Sequence, residues 1–224
     1  MRIINIKKFT VYTSNSFIIK LDHVKDFLLF NCCEGLQSDI LVKKFKMNNL
    51  SKIILTDLNT NNISGLLGLL SSLNSSGRIK AIHLYGPEGL SKYLDYGKKY
   101  SHTNFQYTLY VHILKSGAII NHNQYRIYVF RDKHRFTCCL IAAEKSGKFI
   151  IKNAKNNHLL PSPLYSGLKK GYNFMLPDGL SIDGINFTGL NYEGCRFIFM
   201  LHKFYYKNFI RNSLESIIFL HKTC

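Results

Sequence analysis

The segment Ser51–Leu73, SKIILTDLNTNNISGLLGLLSSL, contains the pattern from which the fold can be predicted. The apolar run Ser51–Leu55 predicts a short buried strand. Isoleucine and leucine recur at helical spacing over Ile63–Leu73, which predicts a helix with one apolar face. The polar turn Thr56–Asn62 between them holds one carboxylate, three amides and no histidine. Because a turn that joins a strand to a helix often presents functional side chains, this turn is the first candidate site.

The rest of the chain alternates short apolar runs with two further helical patterns. Runs rich in β-branched and aromatic residues, broken by polar turns, predict strands. These runs are IINIKKFTVYT, SFIIKL and FLLFNCC before the segment, and AIHLYG, FQYTLYVHIL, YRIYVFRD, FTCCLIAAE, CRFIFML and SIIFLH after it. Helices are predicted for GPEGLSKYLDYGKKY and KFYYKNFIRNSLE. Strands with interleaved helices predict one layered α/β or α+β domain over residues 1–224.

Composition narrows the partners that the chain can take. Lysine and arginine number 30 against 13 acidic residues, and the net charge of +17 predicts attraction to polyanions. Nucleic acid is the leading partner class and an anionic membrane surface the second. The alternative is that an AT-rich genome, which favours lysine codons, accounts for part of the charge. No apolar run is long enough to span a bilayer and the first residues lack a signal-peptide pattern, so we expect a soluble protein.

The six cysteines are predicted to be reduced and mostly buried. Two adjacent pairs, at 32–33 and 138–139, lie in apolar, strand-like segments. Neighbours on a strand point to opposite faces, so neither pair is suited to chelate one ion or to form a disulfide. The sequence contains no C-x-x-C motif, which favours a reducing compartment.

Four phrases follow one another in an order that a known family shares. LLFNCCEGLQSDIL (Leu28–Leu41) resembles the family phrase L-F-D-C-G-E-G-T-Q, and KIILTDLNTNNISGLLGLLSSL resembles I-F-I-T-H-x-H-x-D-H-x-x-G-L-P-G-L-L. LYGPEGL resembles Y-G-P-x-G, and LPSPLYSGLKKGYNFMLPDGLSIDG resembles G-P-L-x-x-x-L-K-x-G with a following D-G. The family is ribonuclease Z, the zinc-dependent tRNA 3′ endonuclease of the metallo-β-lactamase fold. The resemblance implies a metallo-β-lactamase-like αββα sandwich that is shortened at its C-terminal end.

The same resemblance implies that the zinc site is degenerate in this chain. The family's H-x-H-x-D-H turn holds two zinc ions, and a metal-bound water supplies the hydroxide that attacks the phosphodiester. The matching positions here hold Asp57, Asn59, Asn61 and Asn62. An amide oxygen is a poor zinc ligand, and Asn61 cannot act as the general base implied for the family's aspartate. We therefore expect no catalytic residue at this turn and no bound cofactor, although the family uses zinc.

The family's later zinc ligands are matched only in part. His134, in RDKHRFTCCLI, matches a ligand histidine, and His202, in FMLHK, falls where the family has its metal-bridging aspartate. His221 resembles the histidine of V-x-H-E-A-T. Asp57, His134 and His202 are thus the remaining metal candidates. The alternative for His134 is a solvated, basic strand end, because one imidazole cannot hold zinc without partners.

Two alternatives remain open for the turn itself. Asp57 with the amide oxygens of Asn59, Asn61 and Asn62 is an oxygen-rich set that suits calcium or magnesium better than zinc. Alternatively, Asp57 or Asn59 caps the following helix and the other residues form a turn. The cap is the interpretation that we favour.

Residues 145–189 differ from the rest of the chain, since they are polar and carry three of its four prolines. The segment predicts a projecting, exosite-like arm, and in bacterial members of the family such an arm carries a G-P motif and grips the tRNA elbow. The resemblance places the motif at Pro163, and Lys155, Lys169 and Lys170 are the candidate phosphate contacts. The alternative is a flexible lysine-rich loop.

These observations predict a ribonuclease Z-like protein that binds tRNA or another folded RNA without cutting it by the family mechanism. One alternative is a residual tRNA 3′ endonuclease that borrows zinc ligands from an intact partner subunit, because family members form dimers. The same resemblance implies that the chain could also form a homodimer. The other alternative is a decaying reading frame without a role in RNA metabolism. The lysine- and asparagine-rich composition also resembles that of ribonuclease Z-like reading frames of algal plastids, which implies the plastid stroma as the location.

Overall fold

The computed structural model describes residues 2–5, 16–20, 25–132, 135–144, 147–157, 159–177, 179–190, 194–200 and 216–220. The strands, in chain order, are β1 (Arg2–Asn5), β2 (Phe17–Lys20), β3 (Phe27–Phe30), β4 (Leu50–Ile54), β5 (Ile82–Gly86), β6 (Leu109–Ile113), β7 (Gly117–His122), β8 (Tyr125–Asp132), β9 (Arg135–Ala142), β10 (Phe174–Met175), β11 (Ser181–Ile182), β12 (Arg196–Met200) and β13 (Ile217–Leu220). The α-helices are α1 (Leu36–Val42), α2 (Thr60–Ile63), α3 (Leu66–Ser75), α4 (Leu90–Ser101), α5 (Ile151–Asn156) and α6 (Leu164–Leu168).

The first sheet contains β1 to β6 in the order of the sequence. Its first three strands are antiparallel, and β3, β4, β5 and β6 run parallel to one another. Parallel neighbours cannot be joined by a tight hairpin, so the chain needs crossover connections, and helices α1 to α4 lie in them. The polar turn after β4 therefore lies at the carboxyl edge of the parallel strands.

The second sheet has the strand order β13-β12-β9-β8-β7. Its pairs are antiparallel except for β12 and β13, which run parallel. Strand β7 is absent from the predicted set, because its sequence, GAIINH, offers only a short apolar run without polar alternation. It forms nonetheless, because it pairs with the long strand β8 and places Ile120 in the core.

Two apolar clusters place the layers against each other. The helix-side cluster joins one face of the first sheet to α3, for example through Ile53 and Leu70. The inter-sheet cluster joins the other face to the second sheet, and Phe30 there packs against Phe199 with ring centroids 5.0 Å apart. This layering agrees with the predicted α/β sandwich. The helix predicted for KFYYKNFIRNSLE lies outside the described residues.

The two cysteine pairs differ in a way that the sequence pattern did not predict. Cys138 and Cys139 lie on β9 and pack in different clusters on its two faces, as predicted for strand neighbours. Cys32 and Cys33, by contrast, both pack in the helix-side cluster. The reason is that β3 ends at Phe30, so the alternation of a strand no longer applies. The cysteines at 32, 33, 138 and 139 are buried thiols that form no disulfide within the described residues, and Cys195 is exposed.

The residues between Gly147 and Leu190, called the insert below, form a folded unit. Helices α5 and α6, the hairpin β10–β11 and a 3-10 turn over Gly184–Phe187 surround a small apolar cluster that includes Leu168. The two ends of the insert meet, because Gly189 N–H donates to the Lys148 carbonyl at 2.9 Å. The described part of the insert therefore has its own core, unlike a loop without regular structure.

Candidate functional site

The turn after β4 is held against the end of β3 by one asparagine. The backbone N–H and the hydroxyl of Thr56 both bond Oδ1 of Asn31, at 2.9 and 3.1 Å. Asn31 has a φ of 52°, a left-handed conformation that asparagine tolerates better than most residues. Its own N–H donates to the Ile54 carbonyl at 2.9 Å, so the ends of the two strands are locked together.

Asp57 is the centre of the turn and is only 5% exposed. One carboxylate oxygen accepts the backbone N–H of Asn59 at 3.1 Å and the side-chain amide of Asn62 at 2.5 Å. The other oxygen accepts the side-chain amide of Asn59 at 3.0 Å. Three N–H groups of the turn thus stabilise the negative charge of this buried carboxylate.

The structure separates the four positions that the sequence pattern grouped together. Asp57 and Asn62 are buried, Asn59 is exposed beside them, and all three belong to one hydrogen-bonded set. Asn61 is exposed on α2 and lies outside this set. Oδ1 of Asn62 is buried and has no hydrogen-bond partner among the described residues.

The orientation of the amides bears on which ion this turn could hold. Both Asn59 and Asn62 direct their NH₂ groups, not their oxygens, at the Asp57 carboxylate. Zinc takes imidazole, thiolate and carboxylate ligands, and this turn contains only one of those groups. A hard cation would need the amide oxygens to face the carboxylate, and both amides would have to rotate. The side chains of residues 56–62 therefore do not fit a zinc ion, and in this arrangement they do not fit calcium or magnesium.

The predicted helix cap is wrong in its detail. Asn59 occupies the N-cap position of α2, but its side chain makes no capping hydrogen bond in the described structure. Its amide donates to Asp57 instead, and Asp57 accepts the Asn59 backbone N–H two residues on, as in an Asx turn. The NH₂ group of Asn59 donates to Asp57 because a hydrogen bond to a charged acceptor is stronger than one between neutral groups, and this bond fixes the direction of the side chain.

The segment after β3 completes the wall of the site. Cys32 N–H donates to the Asn62 carbonyl at 2.7 Å, and the Cys32 carbonyl accepts the N–H of Gly65 at 3.0 Å. Burial, and to a lesser degree the neighbouring Cys33, raises the pKa of the Cys32 thiol well above its usual value. Cys32 is thus a packing residue with a protonated thiol and is unsuited to act as a nucleophile.

The other metal candidates cannot be placed beside Asp57. His134, His202 and His221 lie outside the described residues. Phe136, near the start of β9, donates its N–H to the Thr56 carbonyl at 3.1 Å, so β9 begins next to the turn. Within the described ranges, no three histidine, cysteine or acidic side chains form a group that could hold a metal ion.

The candidate RNA contacts lie on the surface of the insert. Lys155 is exposed on α5, Pro163 is exposed at the N-terminus of α6, and Lys169 and Lys170 are exposed just after that helix. Gly171 follows the two lysines, and its φ of 81° lies in the left-handed region that favours glycine. The described insert thus presents these lysines to solvent on a short helix and in the turn after another.

Sequence reasoning missed Arg78, which is only 3% exposed. Its guanidinium donates to four backbone carbonyls, those of Asn48, Leu50, Lys80 and Ala81, at 2.7–3.1 Å. Burial lowers the pKa of Arg78 from its ordinary value. A single arginine between a helix and a strand gives no signal of this role, because two of its acceptors lie on a distant segment, at Asn48 and Leu50.

Replacing Asp57 with alanine tests the hydrogen-bonded turn. We expect Asp57→Ala to lower the free energy of unfolding by about 2 kcal/mol, because the buried Asn62 amide loses its acceptor. Urea titration followed by circular dichroism measures the change. Asp95→Ala removes an exposed carboxylate from α4 and is expected to change stability by less than about 0.5 kcal/mol. Equal losses in the two variants would contradict this account of the turn.

The architecture defines the class of the protein. Two facing sheets with helices against the first, and a polar turn at the carboxyl edge of its parallel strands, form a metallo-β-lactamase fold. No protein-family model matches the sequence. Ribonuclease Z of Nostoc sp. is 29% identical over 211 residues, which cover 93% of this chain and 66% of that protein. Ribonuclease Z of Trichodesmium erythraeum is 32% identical, over 83% of this chain and 59% of that protein.

A protein named ycf56, from Porphyra purpurea, is 32% identical over 77% of this chain and 66% of its own length. Among solved structures, human tRNase Z, short form, matches with a TM-score of 0.49 and 17% identity over 69% of this chain and 80% of that chain. The chain belongs to the ribonuclease Z-like proteins of the metallo-β-lactamase fold. It spans 59% to 66% of the length of these sequence relatives.

No helix in the described part of the chain is long and apolar enough to cross a membrane.

Proposed function

We propose that the protein binds tRNA or another folded RNA and does not cut it by the zinc mechanism of ribonuclease Z. The observation that carries the proposal is the Asp57 carboxylate, which accepts amide N–H groups from Asn59 and Asn62 where the family has imidazole ligands. A carboxylate engaged in this way, in a turn without imidazole, does not supply the ligand set that activates water for attack on a phosphodiester.

The proposed RNA contact is the insert. Lys155, Lys169 and Lys170 are exposed on a unit with its own apolar core, and the whole chain carries a net charge of +17. Lysine ammonium groups that neutralise phosphates release condensed counterions, so the affinity should fall steeply with salt. Folded RNA is recognised largely through its backbone and shape, which suits exposed cations on a folded surface.

The first experiment measures metal content and cleavage on one sample. The purified chain is analysed by mass spectrometry for metals and is incubated with a precursor tRNA that carries a 3′ trailer. We expect no stoichiometric zinc and an intact precursor that is nevertheless bound. Stoichiometric zinc with removal of the trailer overturns the proposal. Zinc that appears in this chain only when it forms a mixed dimer with an intact ribonuclease Z subunit also overturns it, in favour of an active mixed dimer.

The second experiment tests the insert with a matched charge change. The double variant Lys169→Ala/Lys170→Ala is expected to weaken tRNA binding and to reduce the slope of log affinity against log salt by about 2. Lys92→Ala/Lys99→Ala removes two exposed lysines from α4 and serves as the control for net charge alone. Equal effects of the two double variants on the slope would contradict a specific role of the insert.

The proposed location is the plastid. The support is the relatives named ycf56, from the red algae Porphyra purpurea and Pyropia yezoensis, the second of which is 34% identical over 75% of this chain. Immunogold labelling of source cells tests it, and label confined to the cytosol would contradict it.

A further inference from the structure

A second group of aromatic and basic side chains lies on the β6 edge of the first sheet. Strand β6 is the last of the described strands in that sheet. Four rings lie side by side on the inner face of β5 and β6, which we call the ring ladder. They are, in spatial order, Tyr110, His83, His112 and Tyr85. The separations of neighbouring centroids are 5.0, 5.3 and 4.6 Å, and the interplanar angles are 17°, 16° and 18°.

A hydrogen bond between the two histidines fixes the middle of the ladder. Nδ1 of His83 and Nε2 of His112 are 3.1 Å apart, and one ring donates to the other, the donor depending on the tautomer. Because the two nitrogens are much closer than the two centroids, the rings meet edge to edge. Burial, followed by His112 and the cation of Lys52, lowers the pKa of His83. The uncharged form of His83 is therefore favoured at neutral pH. Its ring already lies nearly parallel to those of Tyr110 and His112.

Charges around the ladder are mainly positive. Lys52, on β4 beside His83, crosses between the sheets and donates to the Tyr125 hydroxyl on β8 at 3.1 Å. Lys115 is exposed just after β6. Asp26 is the acidic residue whose charge acts on Lys52 and on Tyr125. Tyr110, at the end of the ladder, is 49% exposed, so about half of this residue is accessible to a ligand.

We infer that the ring ladder binds an unstacked base of a single-stranded RNA segment, with Tyr110 as the stacking surface. Aromatic rings that stack bases, next to cations that attract the backbone, are the means by which proteins hold single-stranded RNA without sequence preference. An anionic ligand also agrees with the positive charges of Lys52 and Lys115 near the ladder. A second copy of this chain, paired along β6, would carry the same positive charge to this edge.

The ladder is distinct from the contacts in the proposed function. Lys52 precedes Asp57 by five residues along an extended segment, so the stacking end of the ladder, where Tyr110 lies in the row of Lys52 and His83, is roughly 15 Å from the turn. Tyr85, at the other end of the ladder, pairs with Ile54 and lies next to the turn. The ladder also belongs to the first sheet, whereas Lys169 and Lys170 belong to the insert. This contact therefore goes beyond the binding of folded RNA and adds a place for a single-stranded segment.

The test uses the full chain and an unstructured, uridine-rich RNA of about 12 nucleotides that contains 2-aminopurine. Fluorescence anisotropy measures the affinity, and quenching of 2-aminopurine reports stacking. We expect the wild-type chain to bind and to quench. Tyr110→Ala is expected to weaken binding by roughly five- to a hundredfold and to abolish quenching, whereas Tyr110→Phe keeps both, because the ring and not the hydroxyl stacks.

Tyr96→Ala is the matched control, because Tyr96 is 60% exposed on α4 and lies outside the ladder. Equal affinities of wild-type and Tyr110→Ala for the short RNA overturn the inference, as does an equal loss in Tyr96→Ala or the absence of binding by the wild-type chain. Sedimentation at several concentrations tests for a second copy, and a dimer that Tyr110→Ala dissociates also overturns it. The short RNA has no elbow, so these results leave the tRNA test of the insert independent.

Discussion

Gly65→Ala is expected to lower the free energy of unfolding by about 3 kcal/mol. The backbone of Gly65, with φ of −82°, suits any residue, so the cost comes from space alone. A β-carbon at this position would lie 2.0 Å from the Cys33 carbonyl oxygen and 2.8 Å from its carbon. Both atoms belong to the backbone and cannot rotate away. The start of α3 must then move, and the bond from Gly65 N–H to the Cys32 carbonyl is lost or stretched.

Gly68→Ala is the matched control, since the two glycines are three residues apart. A β-carbon at Gly68 meets only the flexible end of Gln37, at 3.3 Å. Alanine inside an exposed helix is favoured over glycine by about 1 kcal/mol, so this variant should be neutral or more stable. Urea titration measures both variants. A stability loss in Gly65→Ala no greater than that in Gly68→Ala would show that the close approach to Cys33 is not tight.

Arg78→Met is the second variant with a large expected effect, a loss of about 3 kcal/mol in the free energy of unfolding. Methionine fills much of the volume but donates to none of the four carbonyls that Arg78 reaches. Two of these acceptors, the carbonyls of Asn48 and Leu50, precede or begin β4, and the other two precede β5. The bond to the Leu50 carbonyl is buried and the other three are part-buried, so the Leu50 carbonyl would be left without this donor away from water. A buried acceptor that lacks its donor costs more free energy than one hydrogen bond contributes on average.

Arg126→Met provides the comparison for Arg78. Arg126 is exposed on β8 and makes one surface hydrogen bond, to Asn121 at 3.1 Å. We expect a change within about 0.5 kcal/mol, because surface substitutions away from special features have small effects. Arg78→Lys should recover little of the loss, since one ammonium cannot match the planar fork of a guanidinium. Full recovery by lysine would mean that charge alone, and not the set of carbonyl bonds, matters at this position.

In the turn after β4, packing of the backbone and hydrogen bonding of the side chains involve different residues. Gly65 and the leucines of α3 keep their contacts with the segment after β3, and these contacts hold the turn in place. The side chains of the turn include a carboxylate and two amides that bond one another. A buried carboxylate costs less free energy when N–H groups donate to it, so these bonds help to hold the turn in this conformation.

The predicted strands and helices depended on patterns that neighbouring residues create. Strand β4, the leucine face of α3 and the helix α4 could be predicted, because side-chain alternation and helical spacing are local. Strand β7 could not be predicted, because it forms by pairing with β8, and its own short apolar run gives no indication of this pairing. The family phrases likewise located the turn, but Asp57, Asn59, Asn61 and Asn62 gave no indication of how their side chains are directed.

The α/β class, the kinship with ribonuclease Z and the lack of histidine in the turn at 56–62 can be read from the amino-acid sequence. The folded structure was needed to show that Asn62 is buried against Asp57 while Asn61 faces solvent, and that Asn31 anchors Thr56 across 25 residues. The same holds for Arg78, whose acceptor at Asn48 is 30 residues away. Patterns of period 2 and 3.6 are encoded by near neighbours, whereas the direction of a buried polar side chain depends on which distant donors and acceptors the folded chain brings within hydrogen-bond distance.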